Sequence, residues 1–477
     1  MGLVDPSRKG SRVIFRQFYL PSLGHASYLV GDEKTGRSLV LDAQRDVAGY
    51  YEAARDQGLR ISYALDTHGH NDYLSGICEV AARMDVELLG YHEATLGYDH
   101  RRIKDGEMIE MGDVAFEVMH TPGHTPEHVS LLVYDRSSGD EPTLFLSGGA
   151  LLVGDIARPD LMGGPEEARS AARDFCHTIQ EKILWRLPDH VEVWPTHVSG
   201  SLCGGNIGSR LSTTVGYERK TNAVLARVST SEEFVDECIR IDNLPAVPPY
   251  WRRMRTQNLA GPELLGVLRE PPALKPHEVA GMMTDGAVVL DARSPEGFAG
   301  GHIPGALNVG LSTSFSTWAG TVLDEEAKVV LVVDQPDDVW EATWQLLRTG
   351  YELPVGWLSG GMQAWRTSGE VVEMLDEIAV RDLKSRLDAG EIEVLDVRQP
   401  AEWAEGHVPG AQFITGAELP ARLGELDARR PTAVICGSGY RSAVVSSLLQ
   451  ARGHEQVHNV IGGMSAWNNA GLPTSKE

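Results

Sequence analysis

Four stretches of the chain carry side chains able to do chemistry. Leu65-Asp-Thr-His-Gly-His-Asn-Asp-Tyr73 gathers two imidazoles, two carboxylates and a phenol in a polar loop behind the apolar run Tyr63–Leu65. His68 and His70, two residues apart at a strand end, can both face one point, and neutral imidazole is the commonest protein ligand for zinc or iron. A lone His-x-His carries little weight. Here it is followed by Thr121-Pro-Gly-His124-Thr-Pro-Glu-His128 and by Trp194-Pro-Thr-His197, each a histidine in a Pro/Gly turn after an apolar run. Three such segments in order indicate a metal-binding ancestry. The fourth stretch is Ile435-Cys-Gly-Ser-Gly-Tyr-Arg-Ser442. Cys436 stands at a strand end before Gly437, Ser438, Gly439, Tyr440, Arg441 and Ser442, with a helix expected over 443–451. Inward-turned backbone N–H groups and the positive end of the helix dipole favour an anion on the sulfur, and Arg441 can close the cradle as a fixed cation.

The elements that must position these residues are legible in outline. Ser27–Val30, Ser38–Leu41, Val114–Val118, Val129–Tyr134 and Leu144–Leu146 read as strands, and Val47–Gly58 as a helix. Strands with helices outside and histidine loops at one edge predict two sheets sharing a metal edge. Pro245, Pro248, Pro249 and Pro262 mark a linker. Beyond it lies an internal repeat: Asp291 to Ala306 matches Asp396 to Ala411 at nine of sixteen positions, and Gly360-Gly-Met-Gln-Ala-Trp365 matches Gly462-Gly-Met-Ser-Ala-Trp467. Each copy of about 100 residues reads as an α/β unit with a mainly parallel sheet. In register, Asp334 of the first copy stands opposite Cys436 and Val339 opposite Arg441, so the first copy has no nucleophile.

Composition narrows the classes of function. At 477 residues the chain has room for about three domains. A net charge of −24 argues against nucleic acid or an anionic membrane as partner. No apolar run approaches membrane-spanning length, and the N-terminal stretch has no signal-type apolar region. Cys78, Cys176, Cys203, Cys238 and Cys436 include no Cys-x-x-Cys pair, so a cytoplasmic, reducing setting with free thiols is expected. His25 and Cys203 sit in Gly-rich turns and could line a substrate mouth, although a structural role suits each better.

The C-terminal repeats resemble rhodanese domains through Asp396-x-Arg398, Gly406-His-Val-Pro-Gly410, the Cys436 loop and the Gly-Gly-x-x-Ala-Trp ending. The resemblance implies that Cys436 carries a sulfane sulfur as a persulfide, and that the first copy is an inactive relative with a scaffold or docking role. The N-terminal region resembles the metallo-β-lactamase fold, and the order of parts matches persulfide dioxygenase–rhodanese fusions related to glyoxalase II. The implied architecture is an αββα sandwich over 12–245, a linker over 246–263, an inactive rhodanese-like domain over 264–370 and a rhodanese domain over 371–477. The implied chemistry is oxidation of glutathione persulfide with one Fe(II), with thiosulfate or sulfite, or another low-molecular-weight thiol, as further partners and a homo-oligomer as the expected assembly. By the same resemblance, His68, His70, Asp72, His124 and His197 match metal-site positions, and Arg158 and Asp160 match a thiol-substrate segment. Two positions depart from the pattern: Tyr73 replaces a histidine, and Gly149 replaces the carboxylate ligand. A three-histidine site of His68, His70 and His124, suited to zinc, or recruitment of Asp72 or Asp155, would restore a ligand set. Two further readings stay open: a zinc thioester hydrolase of glyoxalase II type, and a persulfide carrier or sensor with a degenerate metallo domain.

Overall fold

The computed structural model describes residues 13–227, 230–240 and 244–476. The N-terminal stretch 1–12, which bears on the expected absence of a signal, lies outside the described residues, as does the final residue of the last expected domain. The chain divides into two compact units. One runs through residue 244 and takes in Trp251–Gly266; the other holds Pro245–Tyr250 and the chain from Val267 onward.

The first unit is built on two six-stranded sheets. Strands β1 to β6 (Val13–Leu20, His25–Asp32, Arg37–Leu41, Arg60–Leu65, Glu87–Tyr91 and Arg101–Ile103) lie side by side in chain order. Strands β7 to β12 (Met108–Met111, Val114–His120, Val129–Asp135, Pro142–Gly148, Glu192–Pro195 and Thr213–Thr214) form the second sheet, also in order. The period-2 alternation of side chains sends each strand into two different cores. Leu39 and Leu41 pack between the sheets with Phe116, Val118, Leu131 and Val133. Val40, between them in sequence, faces outward to Tyr50 and Ala54 of the helix Ala48–Asp56 and to Val47, which caps it. On the far side, Leu132, Phe145 and Val193 meet Phe175, Ile179 and Phe234. Helices thus cover both outer faces, giving the αββα sandwich.

The stretch read as a linker contains the ten-residue helix Trp251–Ala260, which belongs to the first unit. The prolines that suggested a linker flank this helix and do not interrupt it.

The second unit holds both repeats. Strands β13 to β17 (Ala273–Leu274, Val288–Asp291, Leu307–Asn308, Val329–Val332, Gly356–Leu358) form a parallel sheet in the order β13-β17-β16-β14-β15. Strands β18 to β22 (Asp376–Ile378, Glu393–Asp396, Gln412–Phe413, Thr432–Ile435, Val457–Val460) repeat it as β18-β22-β21-β19-β20. The repeated Asp-x-Arg is a structural stitch. Arg398 grips Asp396 through Nε and Nη2 and donates to the carbonyls of Glu402 and Gly406. Arg293 does the same with Asp291, Gly297 and Gly301. His407 stacks on Trp403 with ring centres 3.4 Å apart, a packing role. One apolar cluster runs through both copies, from Phe315, Trp318 and Val330 to Val434, Val444 and Leu448. The two expected rhodanese-like domains therefore share a core. The ring of Trp318 lies directly over Gly416, where a Cβ would fall 2.4 Å from it.

Candidate metal centre and thiol loop

The loop after β4 delivers His68 and His70, the turn after β8 delivers His124 and His128, and the residues after β11 deliver His197. All five rings are buried. One ring nitrogen from each of His68, His124 and His197 lies within 4.8 Å of the others. His70 is not in this group; it hydrogen-bonds Asp42 Oδ1 through Nε2 at 3.0 Å. The three-histidine set expected from the sequence is thus replaced by one in which His197 takes the place of His70.

Neighbouring groups fix the ring tautomers. Asp42 keeps its charge: burial opposes it, but His70, Thr196 and the Thr67 N–H outweigh burial and hold the carboxyl below its usual range. Thr67 therefore donates its hydroxyl proton to Asp42 Oδ2 at 3.0 Å and accepts from His68 Nδ1 at 2.8 Å. That leaves the His68 Nε2 lone pair facing inward. His124 Nδ1 donates to the Arg158 carbonyl at 2.7 Å, which leaves its Nε2 buried and without a hydrogen-bond partner. His197 Nε2 lies 3.4 Å from His68 Nε2, with Asp72 Oδ2 3.4 Å from its Nδ1. Burial and the neighbouring imidazoles keep His68 and His124 well below the usual histidine range, so both rings are neutral and able to act as ligands. His197 differs: burial opposes its charge, but Cys203 and Asp72 outweigh burial and hold it well above the usual histidine range. The inward lone pairs that would meet a cation in this dry pocket are therefore those of His68 and His124, which His197 joins on losing its proton.

The other sequence candidates fall around this centre. Asp72 stands behind His197, with His70 completing a second potential ligand group. Asp155 does not turn toward the histidines; its carboxylate accepts from the N–H groups of Asn206 and Ile156. Gly149 offers only its N–H, which His128 Nε2 accepts at 2.8 Å. Arg158 and Asp160 pair with each other through two 2.7 Å bonds, while the Arg158 carbonyl orients His124. Tyr73 is buried against His25, with ring centres 4.1 Å apart. Cys203 touches His197, so both residues noted in the Gly-rich turns border the cluster.

Several residues of the centre carry no motif. Asp42 adopts φ +53°, a left-handed conformation uncommon for a residue with a side chain, and from there bonds Thr67, His70 and Thr196. The helix Trp251–Ala260 clamps the histidine loop. Asn258 accepts from the Ser75 N–H and donates to the carbonyls of His70 and Tyr73. Arg255 makes a two-bond pair with Glu127, which itself accepts from the Gly69 N–H. Asp66, Thr67, His68, Tyr91, Tyr98 and Leu259 line an opening beside His68.

In the second unit, β21 delivers Cys436 to the start of the helix Tyr440–Ala451, which begins three residues earlier than the sequence suggested. Gly439 takes φ +110°, a conformation suited to glycine, and its N–H donates to Cys436 Sγ at 3.1 Å. Ser442 Oγ lies 3.4 Å from the sulfur. Gly437 is overhung by Arg441, and Ser438 completes the loop. Arg441 is held by Glu402 through two 2.6 Å bonds, with its charge close to Cys436. Tyr440 donates to the Gly310 carbonyl at 2.8 Å and accepts from Ser312 at 3.2 Å, so the first copy reaches the loop of the second. Asp334 occupies the matching strand end of the first copy, where no thiol is available.

Comparison with known proteins matches both halves. The rhodanese-like domain family covers residues 275–368 and 379–470. The mitochondrial persulfide dioxygenase ETHE1 of Bos taurus is 29% identical over 251 residues, half of this chain and 84% of that protein. A hydroxyacylglutathione hydrolase of a Polaromonas species is 34% identical over 36% of this chain and 61% of its own length. A crystallised metallo-β-lactamase from Staphylococcus aureus superposes with a TM-score of 0.65 at 31% identity, covering 72% of this chain and 98% of that one. The chain belongs to the metallo-β-lactamase-fold family in which a persulfide dioxygenase-like N-terminal region is followed by two rhodanese-like domains.

Proposed function

We propose that the protein is an enzyme of sulfane-sulfur metabolism, with Cys436 as the sulfur-carrying nucleophile and the histidine centre as the site that oxidises glutathione persulfide. The Gly439 N–H aimed at Cys436 Sγ from 3.1 Å carries the first half of this reading, because it stabilises charge on the attacking and leaving sulfur. The Cys436 thiolate attacks the outer sulfur of a donor persulfide. A new S–S bond forms at Cys436, the donor's S–S bond breaks, and the donor thiolate leaves with the electron pair. An acceptor thiolate or sulfite then takes the terminal sulfur by the same displacement and regenerates Cys436.

The orphaned, inward-facing Nε2 of His124, with His68 and His197, supports the second half. These three would hold one divalent ion, Fe(II) in the dioxygenase reading, and when bound that ion supplies the reactivity toward O₂ that side chains lack. Thr67 and Asp42 hold the His68 proton at Nδ1, and the Arg158 carbonyl holds that of His124. The expected partners are low-molecular-weight persulfides and sulfite or thiosulfate. Among the described residues no helix is long and apolar enough to cross a membrane.

Sulfur transfer that disappears in Cys436→Ser tests the rhodanese half. Oxygen uptake with glutathione persulfide, measured on Fe(II)-loaded Cys436→Ser protein, tests the other. Uptake abolished by His124→Ala is the expected result. No uptake from the iron-loaded protein overturns the dioxygenase reading and leaves Cys436 as the catalyst.

A further inference from the structure

The cation of the thiol loop is already matched by an anion. Arg441 is the only charged residue in Cys436–Ser442, and both its terminal nitrogens are engaged by Glu402 at 2.6 Å. The pair overhangs the loop backbone: a Cβ at Gly437 would fall 3.0 Å from Arg441 Nη2 and 3.6 Å from Glu402 Oε1. Glu402 is itself fixed, because its Oε2 also accepts from the Gln399 N–H in the cap of the helix Pro400–Glu405. A two-bond pair of this kind is oriented and charge-assisted. With Cys436 as a thiolate, the charges at the loop mouth sum to one negative. A dianion such as thiosulfate is repelled there, whereas an organic persulfide brings at most one charge to the reacting sulfur.

We infer that Glu402 is a specificity-determining residue of the Cys436 site, cancelling the Arg441 charge so that the loop favours organic persulfides over thiosulfate as sulfur donor. This rests on sulfur transfer at Cys436. The transfer is the displacement described above, and only the donor's charge distinguishes the two cases.

The test is kcat/KM for sulfur transfer from glutathione persulfide and from thiosulfate, in the full chain and in Glu402→Gln. The amide is isosteric and retains an oxygen for the Gln399 N–H. The ratio of the two constants is expected to move toward thiosulfate by about tenfold, the scale of one screened charge at close range, and the shift is expected to shrink as salt is raised. A purely structural role for Glu402 lowers both constants together and leaves the ratio and its salt dependence unmoved, which overturns the inference. Glu402→Asp, which keeps the charge, is expected to hold the wild-type ratio; a shift like that of Glu402→Gln counts against the inference. The mass of the wild-type protein after exposure to each donor separates the two levels. No added sulfur on Cys436 from either donor refutes sulfur transfer itself, and this inference falls with it. Added sulfur with an unmoved ratio refutes only the role of Glu402.

Discussion

The backbone N–H of Gly149 donates to His128 Nε2 at 2.8 Å, at the position where the sequence resemblance implies a carboxylate ligand. The site has closed over the missing side chain: a Cβ at Gly149 would lie 2.7 Å from His124 Cδ2. Gly149→Asp is therefore expected to push the His124 ring aside and not to restore a ligand. The cost is about 1–3 kcal/mol of stability, with less metal bound per chain. Urea unfolding and metal analysis check both; a variant of unchanged stability that binds more iron contradicts this.

Thr67 is the link between Asp42 and His68. Removing its hydroxyl in Thr67→Val leaves the His68 Nδ1–H without an acceptor and the ring free to choose its tautomer. Loss of such a partner weakens metal binding by roughly 10–100-fold. Chelator competition is the measurement, with Thr67→Ser expected to retain near-native affinity. Equal affinities for Val and Ser would show that the hydroxyl plays no part.

Glu127 and Arg255 give the first unit an acid-sensitive clasp. Burial alone would raise the Glu127 carboxyl, but Arg255 and the Gly69 N–H outweigh it and hold the carboxyl below its ordinary value of 4.5. The unfolded chain then binds more protons than the folded one on acidification. The stabilisation is complete above that ordinary value and is lost as pH falls through the lower folded one. Glu127→Gln is expected to be less stable at neutral pH and to lose less on acidification. Parallel curves for the two proteins below about pH 5 would exclude Glu127 as a source of the acid sensitivity.

Tyr440 ties the thiol loop to Gly310 and Ser312 of the copy that lacks a thiol. Tyr440→Phe removes both bonds and leaves the ring in place. At about 1 kcal/mol for a lost hydrogen bond, sulfur transfer is expected to slow by roughly fivefold while unfolding stays cooperative. Single-turnover transfer from glutathione persulfide measures this, and an unchanged rate would mean the loop holds itself.

The sequence made the histidine segments, the thiol loop and the repeat visible because each is local: a handful of consecutive residues sets the turn and presents the side chain. His197 was named, but its grouping with His68 and His124 in place of His70 depends on how β4 and β11 meet across the two sheets. Asn258 and Arg255 were hidden for a related reason. Their partners lie more than a hundred residues away and are largely backbone groups, which leave no pattern in a sequence. The helix bearing them sits between prolines and was read as linker. Asp42 was legible as a strand end, but its φ of +53° and its three-way bonding arise only once the loop after β4 folds over it.

The apolar cluster common to the two repeats bears on what becomes of either copy alone. Phe315, Trp318 and Val330 are part of the same interior as Val434, Val444 and Leu448, so removing the copy without a thiol would expose the flank of the copy that carries Cys436. A chain cut at their junction is expected to yield an aggregation-prone half.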